Sequence, residues 1–151
     1  MTPDSFTNRA RRVMQLATHE ARCINCEYVG TEHVLLGILK EGSSIAVNVL
    51  KSHAVDIRQV RHSIDRITGA AGDVGAIHEL PLAPSVQRVI SHSVEEARDL
   101  NHDRADAEHL LLGLLHDHET VAVQVLINLG VEPDRLRDEL LELLRRGTWP
   151  E

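Results

Sequence analysis

Apolar residues return along the chain every three or four positions, the spacing that lines one face of an α-helix. In the first such segment, Phe6 to Ala21, the residues Ala10, Val13, Met14, Ala17 and Ala21 share a face. After a short connection, Cys23 to Gly30, Thr31 is placed to cap a second helix. That helix carries Glu32 and His33 in its first turn and Val34, Leu35, Ile38 and Leu39 as its apolar stripe. Gly42 stops it. Ser43 or Ser44 opens a third helix with Ile45, Val49 and Leu50, and Asp56 opens a fourth with Ile57, Val60, Ile64 and Ile67 turned inward. The same order returns further on, from Pro84 to Arg98, Asp106 to His116, Glu119 to Asn128 and Pro133 to Arg146. Pro133 suits a first turn, where its missing N–H would have no partner anyway. Between the two sets, residues 69–81 hold Gly69, Gly72, Gly75 and small alanines, which predicts a flexible loop and no strand.

The second set is a copy of the first. Shifted by about 76 positions, the halves align without a gap over some sixty residues, with about eighteen identities where chance gives about four. Thr31-Glu32-His33-Val34-Leu35-Leu36-Gly37-Ile38-Leu39 falls on Ala107-Glu108-His109-Leu110-Leu111-Leu112-Gly113-Leu114-Leu115, and Ala46-Val47-Asn48-Val49-Leu50 on Ala122-Val123-Gln124-Val125-Leu126. Four short helices bury too little apolar surface to stand alone, so two copies are expected to share one core. The predicted fold is all-α: two pseudo-symmetric four-helix repeats, residues 4–68 and 82–146, packed as one eight-helix domain over 1–151.

Composition narrows this picture. Hydrophobic residues make up 42% of the chain and aromatics 2%, so the core is aliphatic, which suits helices and not a β architecture. At 151 residues there is room for one compact domain and not a second large one. The net charge of −7 argues against nucleic acid, because phosphate neutralisation needs a basic surface and the densest basic run, Arg9-Ala10-Arg11-Arg12, has the spacing of a solvated helix face. No apolar run approaches the roughly 20 residues that span a bilayer, and the stretch from Met1 to Ser5 opens no signal-type segment. A cytoplasmic protein without membrane contact is expected.

Candidate chemistry is sparse. Cys23 and Cys26 form a C-x-x-C, yet no strand precedes them and no second pair completes a zinc site, so they read as incidental. His19, one turn before Cys23, adds at most a weak metal contact. The ten histidines lack H-x-x-x-H or H-E-x-x-H spacing and read mostly as surface or capping residues, so neither metal nor cofactor is expected. Neither a Ser/His/Asp nor a Cys/His arrangement has a context for nucleophilic catalysis, and neighbouring Glu32 and His33, like Glu108 and His109, point in different directions on a helix. No enzyme activity is expected.

A doubled unit carrying Gly30-Thr31-Glu32-His33 followed by Leu35-Leu36-Gly37, opened by Phe6-Thr7-Asn8-Arg9-Ala10-Arg11-Arg12-Val13, resembles the Clp amino-terminal domain of ClpC- and ClpA-type AAA+ unfoldases. The resemblance runs from Phe6 to about Leu144. No G-x-x-x-x-G-K-[ST] phosphate loop is present, so the chain lacks that ATPase machinery. It reads as the front piece of an unfoldase or as a free-standing protein of the same fold. Its start at Met1 and tail of Gly147-Thr148-Trp149-Pro150-Glu151 fit both, and we expect the latter, as a monomer.

The resemblance implies docking of substrate and adaptor proteins, with recognition of phosphorylated arginine by Glu32 and Glu108, the counterparts of the family's guanidinium-binding glutamates. The chemistry is coherent: a carboxylate accepts two parallel N–H bonds from a guanidinium, a helix start offers N–H groups to a phosphate, and Thr31 adds a hydroxyl. Read alone, however, Glu32 satisfies the helix dipole and Thr31 a cap. The second half departs from the pattern: Asp106-Ala107 replaces Gly30-Thr31, adding negative charge and removing a hydroxyl, so binding is expected to be biased to Glu32. A second surface, near Phe6, Arg11 and Leu82, matches a region that related domains use for adaptors or cyclic peptides, although Phe6 and Leu82 suit equally a staple between the halves. Ser85 and Gln87 stand where the family often has basic residues, which shifts the expected charge of a partner. The other role the resemblance allows is an accessory protein that docks on a Clp peptidase ring, or a decoy or regulator of the unfoldase.

Overall fold

The chain runs through α1 (Asn8–Cys23), α2 (Thr31–Glu41), α3 (Ile45–Ser52), α4 (Ile57–Thr68), α5 (Pro84–Asp99), α6 (Ala107–Leu115), α7 (Val121–Asn128) and α8 (Pro133–Arg145), the eight helices among the described residues. These come from a computed structural model that describes residues 5–23, 27–68 and 81–146. The predicted loop at 69–80 and Cys26 lie outside the described residues, as does the side chain of Cys23.

Residues 76 positions apart occupy equivalent places, and the repeats interlock across the junction. Helix α4 packs on α7 of the other repeat while α8 packs on α3, and α2 and α6 touch at the centre. The central pair is apolar on nearly every side. All of α6 from Ala107 to Leu115 is buried, as is α2 from Thr31 to Ile38 apart from Glu32, as expected of helices enclosed by others. The one-sided pattern of α1 is borne out, with Ala10, Val13, Ala17 and Ala21 each at 0% exposure. In α4 it holds for Val60 and Ile64 but fails for Ile67, which is 37% exposed. Ile67 sits in the last turn of α4, and the described residues cover it only in part.

Two glycines set the closest approaches. A Cβ on Gly113 would lie 2.6 Å from the Val89 carbonyl oxygen, and one on Gly37 would collide with the Val13 carbonyl, the equivalent atom of the other repeat. Glycine at these positions lets α2 lie against α1, and α6 against α5, at backbone contact. Ser44 and Thr120 cap α3 and α7 in matching fashion, each accepting an N–H at 3.4 Å from Val47 and Val123. Gly42 ends α2 in the left-handed region at φ 78°, as its position predicted.

The start of each repeat is threaded into the other. Phe6 forms an isolated parallel bridge with Ala105, and Leu82 forms the matching one with Val29. Phe6 therefore lies before α1 and not inside it, contrary to the sequence pattern.

Candidate functional site

The polar chemistry gathers at two equivalent places, where the start of a central helix meets the start of the outer helix of the other repeat. At the α6 start, Asp106 is the N-cap. One of its oxygens accepts the Ala107 N–H at 2.7 Å and the Thr7 hydroxyl at 2.9 Å, and the Arg9 guanidinium lies 3.5 Å from the other. Thr7 Oγ1 also accepts the Ala10 N–H at 3.1 Å, so one hydroxyl caps α1 and ties it to α6. The Asp106 N–H donates to His109 Nδ1 at 2.8 Å, which leaves the proton of that ring on Nε2, 2.9 Å from His102 Nδ1. Burial, with His102 alongside, pushes the His109 pKa down to about 3.

Glu108 is enclosed beneath this network at 0% exposure. Neither of its oxygens finds a hydrogen-bond partner on another described residue, and Arg9 is 4.0 Å away. Burial pushes its carboxyl up to about 7, the charge of Asp106 adds to the shift, and Arg9 opposes it. The Glu108 side chain, read from the sequence as a second ligand carboxylate, is thus buried, and Asp106 takes the Ala107 N–H beside it.

The α2 start has the same backbone and the opposite chemistry. Gly30 is the N-cap, with no side chain to offer, and its N–H donates to His33 Nδ1 at 2.8 Å. The first-turn amides of Thr31 and Glu32 carry no partner among the described residues. Glu32 is partly exposed, its carboxylate lies over Gly30 where a Cβ would stand, and it makes no hydrogen bond or ion pair there. Ala83 and Ser85 replace Thr7 and Arg9 at the equivalent positions of α5, so no cation comes from that side. Burial lowers the His33 pKa, while Glu32 and Glu20 pull it the other way.

Thr31 is not the cap. It occupies the first helical position, is 2% exposed, and its Oγ1 accepts the Ala122 N–H at 3.2 Å. Its hydroxyl joins the repeats. Two residues of the predicted groove, Phe6 and Leu82, lie at the junction of the halves. Phe6 is 2% exposed in the core, Leu82 pairs with Val29, and Arg11 lies half-buried against Asn8 Oδ1 at 3.5 Å. Stapling of the halves accounts for the placement of Phe6 and Leu82, while Leu82 and Arg11 stay partly exposed.

Sequence reasoning missed Thr7, Arg9 and His102. The signal lay in the alignment of the halves, at the positions where the copies disagree: Thr7 against Ala83, Arg9 against Ser85 and Asp106 against Gly30. No group of three or more metal-ligating side chains occurs among the described residues, and no single helix there is long and apolar enough to cross a membrane.

Fold and sites together define a duplicated helical domain whose polar chemistry sits at helix starts between the copies. The family model of the Clp repeat (R) N-terminal domain matches residues 5–104 and 84–149, and the chain belongs to that family. It is 41% identical over 141 residues to the chloroplastic chaperone protein ClpC1 of Arabidopsis thaliana, covering 93% of this chain and 15% of that protein. A probable ATP-dependent Clp protease ATP-binding subunit of Chlamydia pneumoniae is likewise 41% identical, over 93% of this chain and 17% of its own length. The chain thus spans about one sixth of the curated relatives it matches. Among solved structures, the N-terminal domain of ClpD from Arabidopsis thaliana superposes with a TM-score of 0.80 at 25% identity, over 96% of this chain and 97% of that one.

Proposed function

We propose that the chain is a non-enzymatic docking module that holds substrate or adaptor proteins for a Clp-type unfoldase, with Glu32 as its anchor for a guanidinium. The observation that carries this reading is the contrast between the two equivalent carboxylates. Glu108 is buried beside a guanidinium of its own chain, whereas Glu32 is partly exposed and has no cation partner among the described residues. A peptide arginine brings to Glu32 the charge that Arg9 brings near Glu108, and two parallel N–H bonds to a carboxylate fix its orientation. The amides of Thr31 and Glu32 and the positive end of the α2 dipole favour an anion beside it, which suits the phosphate of phosphoarginine. The likeness to a probable ATP-dependent Clp protease ATP-binding subunit supports this reading.

Calorimetric titration with free phosphoarginine and with arginine tests this. Phosphoarginine is expected to bind the wild type and Glu108→Gln alike and to lose binding in Glu32→Ala. No heat with the wild type, or binding that Glu108→Gln abolishes and Glu32→Ala spares, overturns it. Capture of Clp peptidase subunits instead of unfoldase substrates would move the function to an accessory of the peptidase ring.

A further inference from the structure

The same symmetry exposes a second surface at the far ends of α4 and α8. These helices occupy equivalent places, yet Arg58, His62 and Arg66 of α4 correspond to Asp134, Asp138 and Glu142 of α8. Where α8 meets α3, most of the acids are matched within the chain. Glu139 pairs with His53 at 2.8 Å across the junction, Asp134 with His118 at 3.4 Å, and Glu142 with Arg146 at 2.5 Å. Where α4 meets α7, Leu129 replaces His53 and Ser63 replaces Glu139, so the ion pair gives way to a hydrogen bond from the Asn128 amide to Ser63 Oγ at 3.5 Å. A cleft of about 550 Å³ remains there, walled by Arg58, His62 and Arg66 with Ile67 and Leu129.

We propose that this cleft docks an acidic peptide segment bearing an aliphatic side chain. None of Arg58, His62 and Arg66 makes an ion pair or hydrogen bond among the described residues, although the chain carries seven more negative than positive charges. Three unmatched basic groups around one opening are complementary to carboxylates. Ile67, 37% exposed, and Leu129 give the cleft an apolar side for a leucine or isoleucine between those carboxylates. That apolar wall favours a peptide over a nucleic-acid backbone, which has no aliphatic side chain to place against Ile67 and Leu129. The cleft shares no residue with the α2 start, so the two readings stand or fall separately.

The test is fluorescence anisotropy with a short fluorescein-labelled peptide of aspartate, glutamate and leucine. Its controls are the same peptide with asparagine and glutamine in place of the acids, and a labelled oligothymidine. The acidic peptide is expected to bind the wild type, to weaken about tenfold in Arg58→Glu/Arg66→Glu, and to weaken as salt rises. Ile67→Ser, which keeps every charge, is expected to lower affinity without changing the salt dependence. Equal binding of the neutral peptide, an unchanged affinity in the double charge reversal, or binding of the oligothymidine alone overturns the proposal. Amide shifts on titration provide a check that needs no variant: they are expected on 58–67 and 127–129, and shifts confined to other helices also overturn it.

Discussion

Arg9 reaches from the start of α1 to within 3.5 Å of Asp106 on α6, a contact that has no equivalent in the other repeat because Ser85 and Gly30 stand at the matching positions. This pairing divides two nearly identical helix starts into one that is locked and one that is open. It also places the Asp106 charge beside Glu108, whose burial already disfavours ionisation.

A stability effect of defined sign follows. The Glu108 carboxyl is raised from 4.5 to about 7 in the folded protein, so between those pH values the native state binds more protons than the unfolded one. Stability from this group is complete below pH 4.5, falls as pH rises, and is gone above about 7. The loss is at most about 3 kcal/mol. Glu108→Gln keeps the shape without the titration and is expected to be more stable than wild type at pH 8 and nearly equal to it at pH 4. Urea unfolding across that range measures the difference, and parallel curves for the two proteins would refute the assignment.

His109 works in the opposite direction. Its Nδ1 must stay unprotonated to accept the Asp106 N–H, and its pKa falls from 6.5 to about 3, so its contribution is complete above pH 6.5 and drains away as pH falls toward 3. Because this window overlaps that of Glu108, the slope is read cleanly in the Glu108→Gln background. His109→Phe leaves the Asp106 N–H without an acceptor and is expected to cost about 1–3 kcal/mol at neutral pH. It should also flatten the acid limb of the stability curve, and an unchanged limb would count against the role.

The glycines between helices permit a second kind of test. Alanine is the better helix former by up to about 1 kcal/mol, so an open site would gain from the change. At Gly113 the added Cβ falls 2.6 Å from a backbone oxygen of Val89, which no side-chain rotation relieves. Gly113→Ala and Gly37→Ala are therefore each expected to destabilise by about 1–3 kcal/mol, as overpacked cores do. Thermal melts decide, and a rise in melting temperature in either variant would contradict the close packing.

The eight helices and their duplication were legible in the sequence because both rest on repeated patterns: apolar spacing within a helix and identity between halves. The locked site was not, because its difference from the open one arises from Thr7, 99 positions before the Asp106 it bonds. Glu32-His33 and Glu108-His109 read alike locally, and only tertiary packing makes one glutamate accessible and buries the other. Thr31 misled for a related reason. A hydroxyl before an apolar run signals a cap, but the imidazole of His33 serves the Gly30 N–H and the threonine turns inward to Ala122. Ile67 kept the apolar period of α4 into its last turn, where the described residues leave it 37% exposed.

The repeats also share an ion pair whose surroundings differ, which yields the last test. Arg61 on α4 pairs with Glu20 on α1, and Arg137 on α8 pairs with Glu96 on α5 at 2.6 Å. Both glutamates are nearly buried, with side-chain exposures of 6% and 12%, so removing a partner strands a carboxylate in low dielectric. Glu20 has a second cation, Lys40 at 3.8 Å, whereas the position equivalent to Lys40 is His116, whose ring stacks on His92 at 3.7 Å instead. Arg137→Ala therefore leaves Glu96 alone and loosens the last helix from its repeat. Since the guanidinium is 30% exposed, the expected cost is about 1–3 kcal/mol, below that of a fully buried pair. Arg61→Ala, cushioned by Lys40 and made at a guanidinium 47% exposed, should cost less than about 1 kcal/mol. Chemical denaturation of the two variants under one buffer ranks them, and a larger loss for Arg61→Ala would show that Lys40 does not compensate. Adding Lys40→Ala to Arg61→Ala should then bring the first repeat to the cost of the second.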